Sequence, residues 1–403
     1  MKYCAPRYLL LICLGGLLTA CVSHTVRVVD MTPPRQASAA VSEAMLLDVG
    51  IAVFDANVPE DFDTRIEELI IPEVRRAEAQ YFPYFLKNLL QSTGNWGAVR
   101  VVPRHTDAVD VNVAGKILKS NGESLEIEAT VQDASGRLWF TRTYTALASK
   151  YAYGDAIPAN VDAFQAFYKD LANDMLDYLE ALDDDEVRRI RNVAEMKFAR
   201  GFASDAFANH VRENEAGEYE LIRLPAAGDP MLERVRRIRE REYLFIDTLE
   251  EYYANFYRQM YPHYNSWRKA NYEQAIAYNE LRAQAKSRAI SGTLAIVGSV
   301  ASIYESNNAF VDASGLVGVA AGATLITSAI QKRHEAELQA ERMRELGSDA
   351  EAELVPTTLE LENQTARLEG SVEQQYDQLR QILRRIYFED LNLPQPDEPA
   401  EHD

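Results

Sequence analysis

The chemistry that this sequence specifies most clearly lies near its N-terminus, in Leu18, Thr19, Ala20 and Cys21. Thr19 and Ala20 are small residues of the kind that precede a signal-peptidase cleavage point, and Cys21 follows them directly. The thiol of Cys21 can form a thioether with a lipid, which makes it a modification site rather than a catalytic one. We therefore predict that residues 1–20 are removed and that Cys21 becomes the lipidated first residue of the mature chain.

The residues before this motif have the composition of a secretion signal. Lys2 and Arg7 supply positive charge, and the apolar run from Tyr8 to Leu18 is about half of the ~20 residues that a helix needs to cross a bilayer. The segment resembles a bacterial lipoprotein signal, which implies diacylation of the Cys21 sulfur and acylation of its new amino group. An ordinary signal peptide with a chance cysteine and an uncleaved anchor helix are the alternatives.

The residue after the cysteine bears on where such a lipoprotein is sorted. In enterobacterial-type sorting an aspartate at this position retains lipoproteins in the inner membrane, and this chain has Val22 there. The resemblance therefore implies an outer-membrane lipoprotein whose folded part faces the periplasm.

Composition and charge narrow the functional classes. Cys4 and Cys13 lie in the segment to be removed, so the mature chain can form neither an internal disulfide nor a thiolate metal cluster. Loss of Lys2 and Arg7 takes the formal net charge from −20 to −22. Because such a surface repels phosphate backbones and anionic head groups, we predict no nucleic-acid partner and membrane attachment through the acyl chains. We predict no metal, and no cofactor besides the lipid on Cys21.

Changes in composition divide the chain into seven predicted segments. They are a signal peptide (1–20), a flexible tether (21–44), an α/β domain (45–150), a helical domain with a long tyrosine-rich helix (151–289), a glycine-rich apolar hairpin (290–330), a helix, β-hairpin and final helix (331–393), and a disordered acidic tail (394–403). The predicted fold class is α+β.

The segment 45–150 has the pattern of a small α/β sandwich. An apolar run at 46–54 predicts a buried strand, and apolar residues at helical spacing over 81–90 predict a helix that ends near Gly94. A short strand follows, and then two hairpin turns, at Asn121-Gly122 and Ser135-Gly136, join three further strands. Apart from the short strand, the predicted order is therefore β-α-β-β-β.

Four stretches of this segment also carry a family resemblance. They are the strand 49–54, the helix end Gly94-Asn95-Trp96 before Val99, the strand 110–117, and the hairpin 131–139. They are similar to the periplasmic lipoprotein domain shared by the curli secretion channel lipoprotein and the amino-terminal domain of the Tol-system β-propeller protein. The resemblance covers residues 46–146, about a quarter of the chain. It implies a role in envelope assembly, export or tethering, and it brings no catalytic residues.

The helical part is rich in tyrosine between residues 243 and 278. An exposed aromatic surface there could stack on peptidoglycan or another polysaccharide. The alternative that we favour is a buried stripe at helical spacing, formed by Leu249, Tyr253, Phe256, Met260, Tyr264 and Trp267. Pro262 is expected to interrupt the helix.

The segment 290–330 is apolar and contains glycines that allow close helix packing, namely Gly292, Gly298, Gly315, Gly318 and Gly322. Its two uncharged arms are shorter than a membrane-spanning helix. Three interpretations stay open: a hairpin buried in its own bundle, a membrane-inserted hairpin, and a surface that associates with a second copy of the chain. The glycines are our candidate self-association residues.

Neither a nucleophile elbow nor a zinc-binding helix motif, which are typical of hydrolases, occurs in the sequence. His105, Asp107 and Asp110 are the one close polar trio that includes a histidine, and turn chemistry explains them better than a metal or catalytic site.

The sequence therefore favours a non-enzymatic scaffold or assembly component of a cell-envelope complex. An oligomeric export component is the first alternative, and a peptidoglycan- or polysaccharide-binding protein or hydrolase is the second. The expected partners are the outer membrane, further copies of the chain, other envelope proteins and peptidoglycan.

Overall fold

The computed structural model describes residues 32–67, 70–149, 151–153, 161–290, 357–361 and 364–390. Nine strands are described in these ranges: β1 Val49–Ala52, β2 Val99–Val102, β3 Val111–Ser120, β4 Ser124–Asp133, β5 Leu138–Leu147, β6 Val211–Glu213, β7 Tyr219–Leu221, β8 Thr357–Leu361 and β9 Gln364–Leu368. The α-helices described there are α1 Phe62–Glu67, α2 Pro72–Thr93, α3 Gln165–Ala181, α4 Asp184–Phe202, α5 Ser204–Phe207, α6 Pro230–Ile290 and α7 Val372–Asp390. The fold is mixed, with a five-stranded sheet, its helices and a helical C-terminal region.

The five-stranded sheet has the order β2-β1-β3-β4-β5. β1 lies parallel to both β2 and β3, and β3, β4 and β5 form antiparallel pairs. A parallel pair needs a long crossover, and two helices, α1 and α2, lie between β1 and β2 where the sequence predicts one. Gly94 ends α2 in the left-handed conformation (φ 70°), which a glycine adopts without strain.

The sheet shares its core with the helices that follow it. α2 and α3 contribute Tyr81, Phe82 and Tyr168 to the same cluster as the sheet residues, and α6 contributes Tyr264 and Trp267. The boundary that the sequence predicts at residue 150 therefore does not separate two cores. A second cluster joins the first part of α6 to α4 and α7.

The aromatic stripe of α6 is buried, as the helical spacing predicts. Its six residues are Leu249, Tyr253, Phe256, Met260, Tyr264 and Trp267, and each is at most 7% exposed. The expected interruption at Pro262 is wrong, because α6 continues through it. A proline removes one backbone hydrogen bond, but the fully buried neighbours Met260 and Tyr264 hold this part of the helix against the core.

The C-terminal elements β9 and α7 pack against the second cluster. β8 and β9 form an antiparallel hairpin, and α7 follows at the position where the sequence predicts a final helix. Leu368, Tyr376 and Leu379 pack in the second cluster, against the first part of α6.

Candidate functional site

The residues that the sequence singles out for modification and self-association lie outside the described residues. They are Leu18, Thr19, Ala20 and Cys21 at the N-terminus, and Gly292, Gly298, Gly315, Gly318 and Gly322 in the apolar segment. In the part of the chain that is described, no helix combines the length and apolarity that crossing a bilayer requires.

The described part of the predicted tether contacts the folded body. The Arg35 main-chain N–H donates to Asn173 Oδ1 (2.9 Å), and the Arg35 guanidinium pairs with Asp177 and Glu180 of α3. The Ala37 N–H donates to the carbonyl of Thr93 at the end of α2 (2.9 Å). The chain is therefore attached to the folded body at Arg35 and Ala37, through α3 and the end of α2.

The helix α6 precedes the other segment of interest, residues 290–330. Among the side chains described, Ala270 and Tyr272 are the last that α6 packs into the core, and the helix continues for 18 residues to Ile290. At 1.5 Å per residue this extension is ~27 Å long. The next described element is β8, from Thr357, and Leu368 of β9 is again in a core. In the sequence, the predicted glycine-rich segment thus follows α6 and precedes the hairpin of β8 and β9.

The residues of the polar trio, His105, Asp107 and Asp110, have different surroundings. The Asp107 carboxylate pairs with Lys197 (2.9 Å), whereas Asp110 is buried and accepts the Asp48 N–H (2.9 Å). Burial lowers the pKa of His105, and the nearby Lys197 charge lowers it further. Within the described ranges, no group of three or more histidine, cysteine, aspartate or glutamate residues could hold a metal ion.

Asp110 is the buried carboxylate of this region. Burial raises its pKa to about 6, although the Arg239 charge opposes that increase. Arg191 and Arg239 approach it at 3.8 and 3.9 Å. Its hydrogen bond to the main chain at the start of β1 gives it a structural role in joining β1 to the loop before β3.

The main buried polar site is one that the sequence did not predict, and we call it the Arg268 cluster (Arg268, Asp162, Glu78, Tyr81 and Tyr264). The Arg268 Nη1 donates to both Asp162 carboxylate oxygens (3.0 and 2.8 Å), and the two side chains are 1% and 0% exposed. The Tyr81 hydroxyl donates to Asp162 Oδ2 (3.2 Å). The Arg268 guanidinium also lies 4.2 Å from the ring centroid of Tyr264.

Glu78 forms the second half of the Arg268 cluster. Its Oε1 accepts hydrogen bonds from the hydroxyls of Ser120 (2.5 Å) and Tyr264 (2.6 Å). Burial raises the pKa of Glu78, while Arg75 and the two hydroxyls oppose the increase. Burial, followed by the Asp162 charge, raises the pKa of Tyr81 well above its usual value.

The Arg268 cluster joins α2, the segment before α3, the end of β3 and α6. A Cβ on Gly122, in the β3–β4 turn, would lie 2.4 Å from the Arg268 carbonyl oxygen, so the hairpin and α6 are in backbone contact here. The charged groups are buried and pair with one another, which positions α6 on the body, while Glu78 Oε2 and Arg268 Nε have no hydrogen-bond partner among the described residues. The sequence signal that could have revealed the Arg268 cluster is a charged residue within a buried helical stripe, such as Glu78 between Val74 and Tyr81.

A comparison with models of protein families found none that matches this chain, and a comparison with curated proteins found no similar sequence.

Proposed function

We propose that this protein is a lipoprotein anchored in the outer membrane through Cys21, with its folded body facing the periplasm. We further propose that it acts as a non-enzymatic scaffold or assembly component of an envelope complex, through self-association of the segment 290–330. The predicted β-α-β-β-β domain of the envelope-lipoprotein type, and the glycine-rich hairpin, are parts of the same proposal.

The observation that supports the scaffold role is the course of α6. The helix is fixed to the body by the Arg268 cluster and by its buried stripe, and it then continues for 18 residues past Tyr272. This continuous helix leads the chain directly into the segment 290–330, to which we attribute self-association. The motif Gly318-Val319-Ala320-Ala321-Gly322 in that segment would allow two helices to approach closely.

The position of Arg35 supports the anchoring role. Its contacts with α3 fix the point at which the N-terminal segment meets the body, 14 residues after Cys21. At ~3.4 Å per extended residue, that segment spans at most about 48 Å. A body held at this range by acyl chains can meet other envelope proteins without a spanning helix.

The anchor is tested by changing Cys21→Ser. We expect an unlipidated precursor, because Cys21 is the residue whose sulfur would form the thioether. Palmitate labelling and membrane fractionation measure the result, with Cys13→Ser as a matched control that leaves the modification site intact. Equal labelling and equal membrane association of the wild type and Cys21→Ser would contradict the proposed localisation.

A further inference from the structure

The C-terminal helix α7 and the end of α4 border an open surface cavity of about 280 Å³ whose walls carry three arginines. Arg104 comes from the loop after β2, and Arg380 and Arg384 lie one turn apart on α7. Phe202 and Gly201, on the last turn of α4, form another wall. Guanidinium groups therefore reach one small space from two separate parts of the chain.

The existing partners of these arginines leave positive charge in the cavity. Arg380 lies 3.8 Å from the fully buried Glu242, and Arg104 pairs with Asp377 at the cavity wall. Arg384 donates to the Gly201 carbonyl (3.1 Å), and among the described residues no carboxylate lies within ion-pair distance of it. Among the residues that line the cavity, one carboxylate, that of Asp377, thus faces three arginines, while the carboxylates of Glu242 and Asp107 act on Arg380.

The ion pair between Arg104 and Asp377 is weak, so another anion can displace the Asp377 carboxylate from Arg104. Both side chains are about half exposed, at 55% and 49%, and exposed ion pairs contribute only ~0–1 kcal/mol to stability. An anion that enters the cavity could therefore take the place of the Asp377 carboxylate. Arg380 stays fixed by Glu242 and by the Phe202 ring, 5.6 Å from its guanidinium carbon.

We propose that this cavity is a binding site for a phosphate group, either free or as a phosphate monoester. Each guanidinium offers five N–H donors in a planar fork, and the three that line the cavity come from the loop after β2 and from α7. A tetrahedral phosphate presents oxygens in three directions, whereas a planar carboxylate has two oxygens in one plane. The site is local, and it is the exception to the anion-repelling character of the whole chain.

The test uses the mature chain with Cys21→Ser, titrated with inorganic phosphate by calorimetry at constant pH and ionic strength. We expect saturable binding to one site. Arg384→Gln should weaken it by roughly tenfold or more, since one charge-assisted hydrogen bond is lost. Asp377→Asn should strengthen it, because the competing carboxylate is removed. Arg385→Gln is the matched control, as Arg385 is exposed but does not line the cavity.

A further variant tests the location of the proposed phosphate site without removing an arginine. A Cβ added to Gly201 meets no atom within 4 Å, so Gly201→Glu should fold and place a carboxylate beside the arginines. We expect this variant to abolish phosphate binding. Unchanged affinity in both Arg384→Gln and Gly201→Glu, or no saturable heat with the parent protein, would overturn the proposal. Equal affinity for phosphate, acetate and chloride means an adventitious ion only, and would overturn it too.

Two probes distinguish the source of the phosphate group. Glycerol 3-phosphate represents a soluble monoester, and phosphatidylcholine vesicles with or without phosphatidic acid represent a lipid head group. Arg384-dependent sedimentation with the phosphatidic acid vesicles assigns the site to a head group. Binding of glycerol 3-phosphate alone assigns it to a soluble ester, and failure of both probes and of inorganic phosphate rejects the site.

Discussion

Arg268 and Asp162 form an ion pair that is enclosed by tyrosine rings and fully removed from water. In such a place desolvation offsets much of the attraction, so the pair is weak evidence for stability by itself. Removal of one partner is a different matter, because it leaves a buried charge without compensation. The pair therefore fixes the position of α6, because moving the helix would separate Arg268 from Asp162 and leave two buried charges unpaired.

The first prediction concerns this pair. Arg268→Met should lower the free energy of unfolding by about 3–5 kcal/mol, as it leaves the Asp162 carboxylate unpaired. Arg212→Met is the control, because Arg212 pairs with Glu220 at the surface, where both side chains are more than half exposed. It should cost less than about 1 kcal/mol. Denaturant unfolding of the three proteins measures the difference, and equal stability of the two variants would show that the buried pair is unimportant.

Asp110 gives a prediction for the pH dependence of stability. Its folded-state pKa of about 6 lies above the ordinary value of 3.8, so the folded protein holds this proton more tightly than the unfolded chain. The contribution of Asp110 to stability is therefore greatest at low pH, and it is lost as the pH rises through this window.

The variant Asp110→Asn isolates that contribution. Its stability relative to the wild type should increase by about 2 kcal/mol between pH 4 and pH 7, because the variant has no carboxylate to ionise. Urea unfolding of both proteins at several pH values provides the measurement. A constant difference between the two proteins across this range would mean that the Asp110 carboxylate is not perturbed by burial.

The residues of α6 differ in how well the sequence predicts their environment. The stripe of α6 was predictable, since its six apolar and aromatic residues follow helical spacing. Arg268 was not, because its spacing continues the stripe but its charge indicates a solvent-facing position. The partner that neutralises it, Asp162, lies 106 residues away in the chain and is found only in the fold.

The strands and their turns were the most predictable elements. β3, β4 and β5 follow runs of alternating residues between glycine turns, and this local signal determines both their type and their order. α1 was missed because residues 58–72 are acidic, contain prolines and have no apolar period. The continuation of α6 through Pro262 depends on packing, which overrides the local preference for a break.

Contact between elements can be tested at the β3–β4 turn. Gly122 and Gly217 both have a positive φ, near 80°, so alanine at either position costs about 1–2 kcal/mol in backbone strain. A Cβ at Gly217 meets nothing within 4 Å, whereas one at Gly122 would strike the Arg268 carbonyl. Gly122→Ala should therefore be less stable than Gly217→Ala by a further ~1–3 kcal/mol. Thermal unfolding compares the two variants, and equal losses would mean that the hairpin and α6 are not in close contact.

In the whole molecule, one core extends from the sheet into helices that the sequence assigned to another segment. An apolar run specifies that a face is buried, but not which distant face covers it, and this is why the shared core could not be predicted. The same body holds the chain at Arg35, after the segment to which we attribute anchoring, and at Tyr272, before the segment to which we attribute self-association. The negative charge of the chain favours solubility of the body, so association depends on a local apolar surface.

Self-association through the segment 290–330 is the central claim, and sedimentation equilibrium of the mature chain with Cys21→Ser tests it most directly. At micromolar concentration we expect a mass above that of the monomer. The double variant Gly318→Leu, Gly322→Leu should be a folded monomer, because bulky side chains prevent close helix approach. Gly201→Leu, where an added Cβ meets open space, should keep the wild-type mass. A parent protein that sediments as a monomer, with or without detergent, would contradict the account.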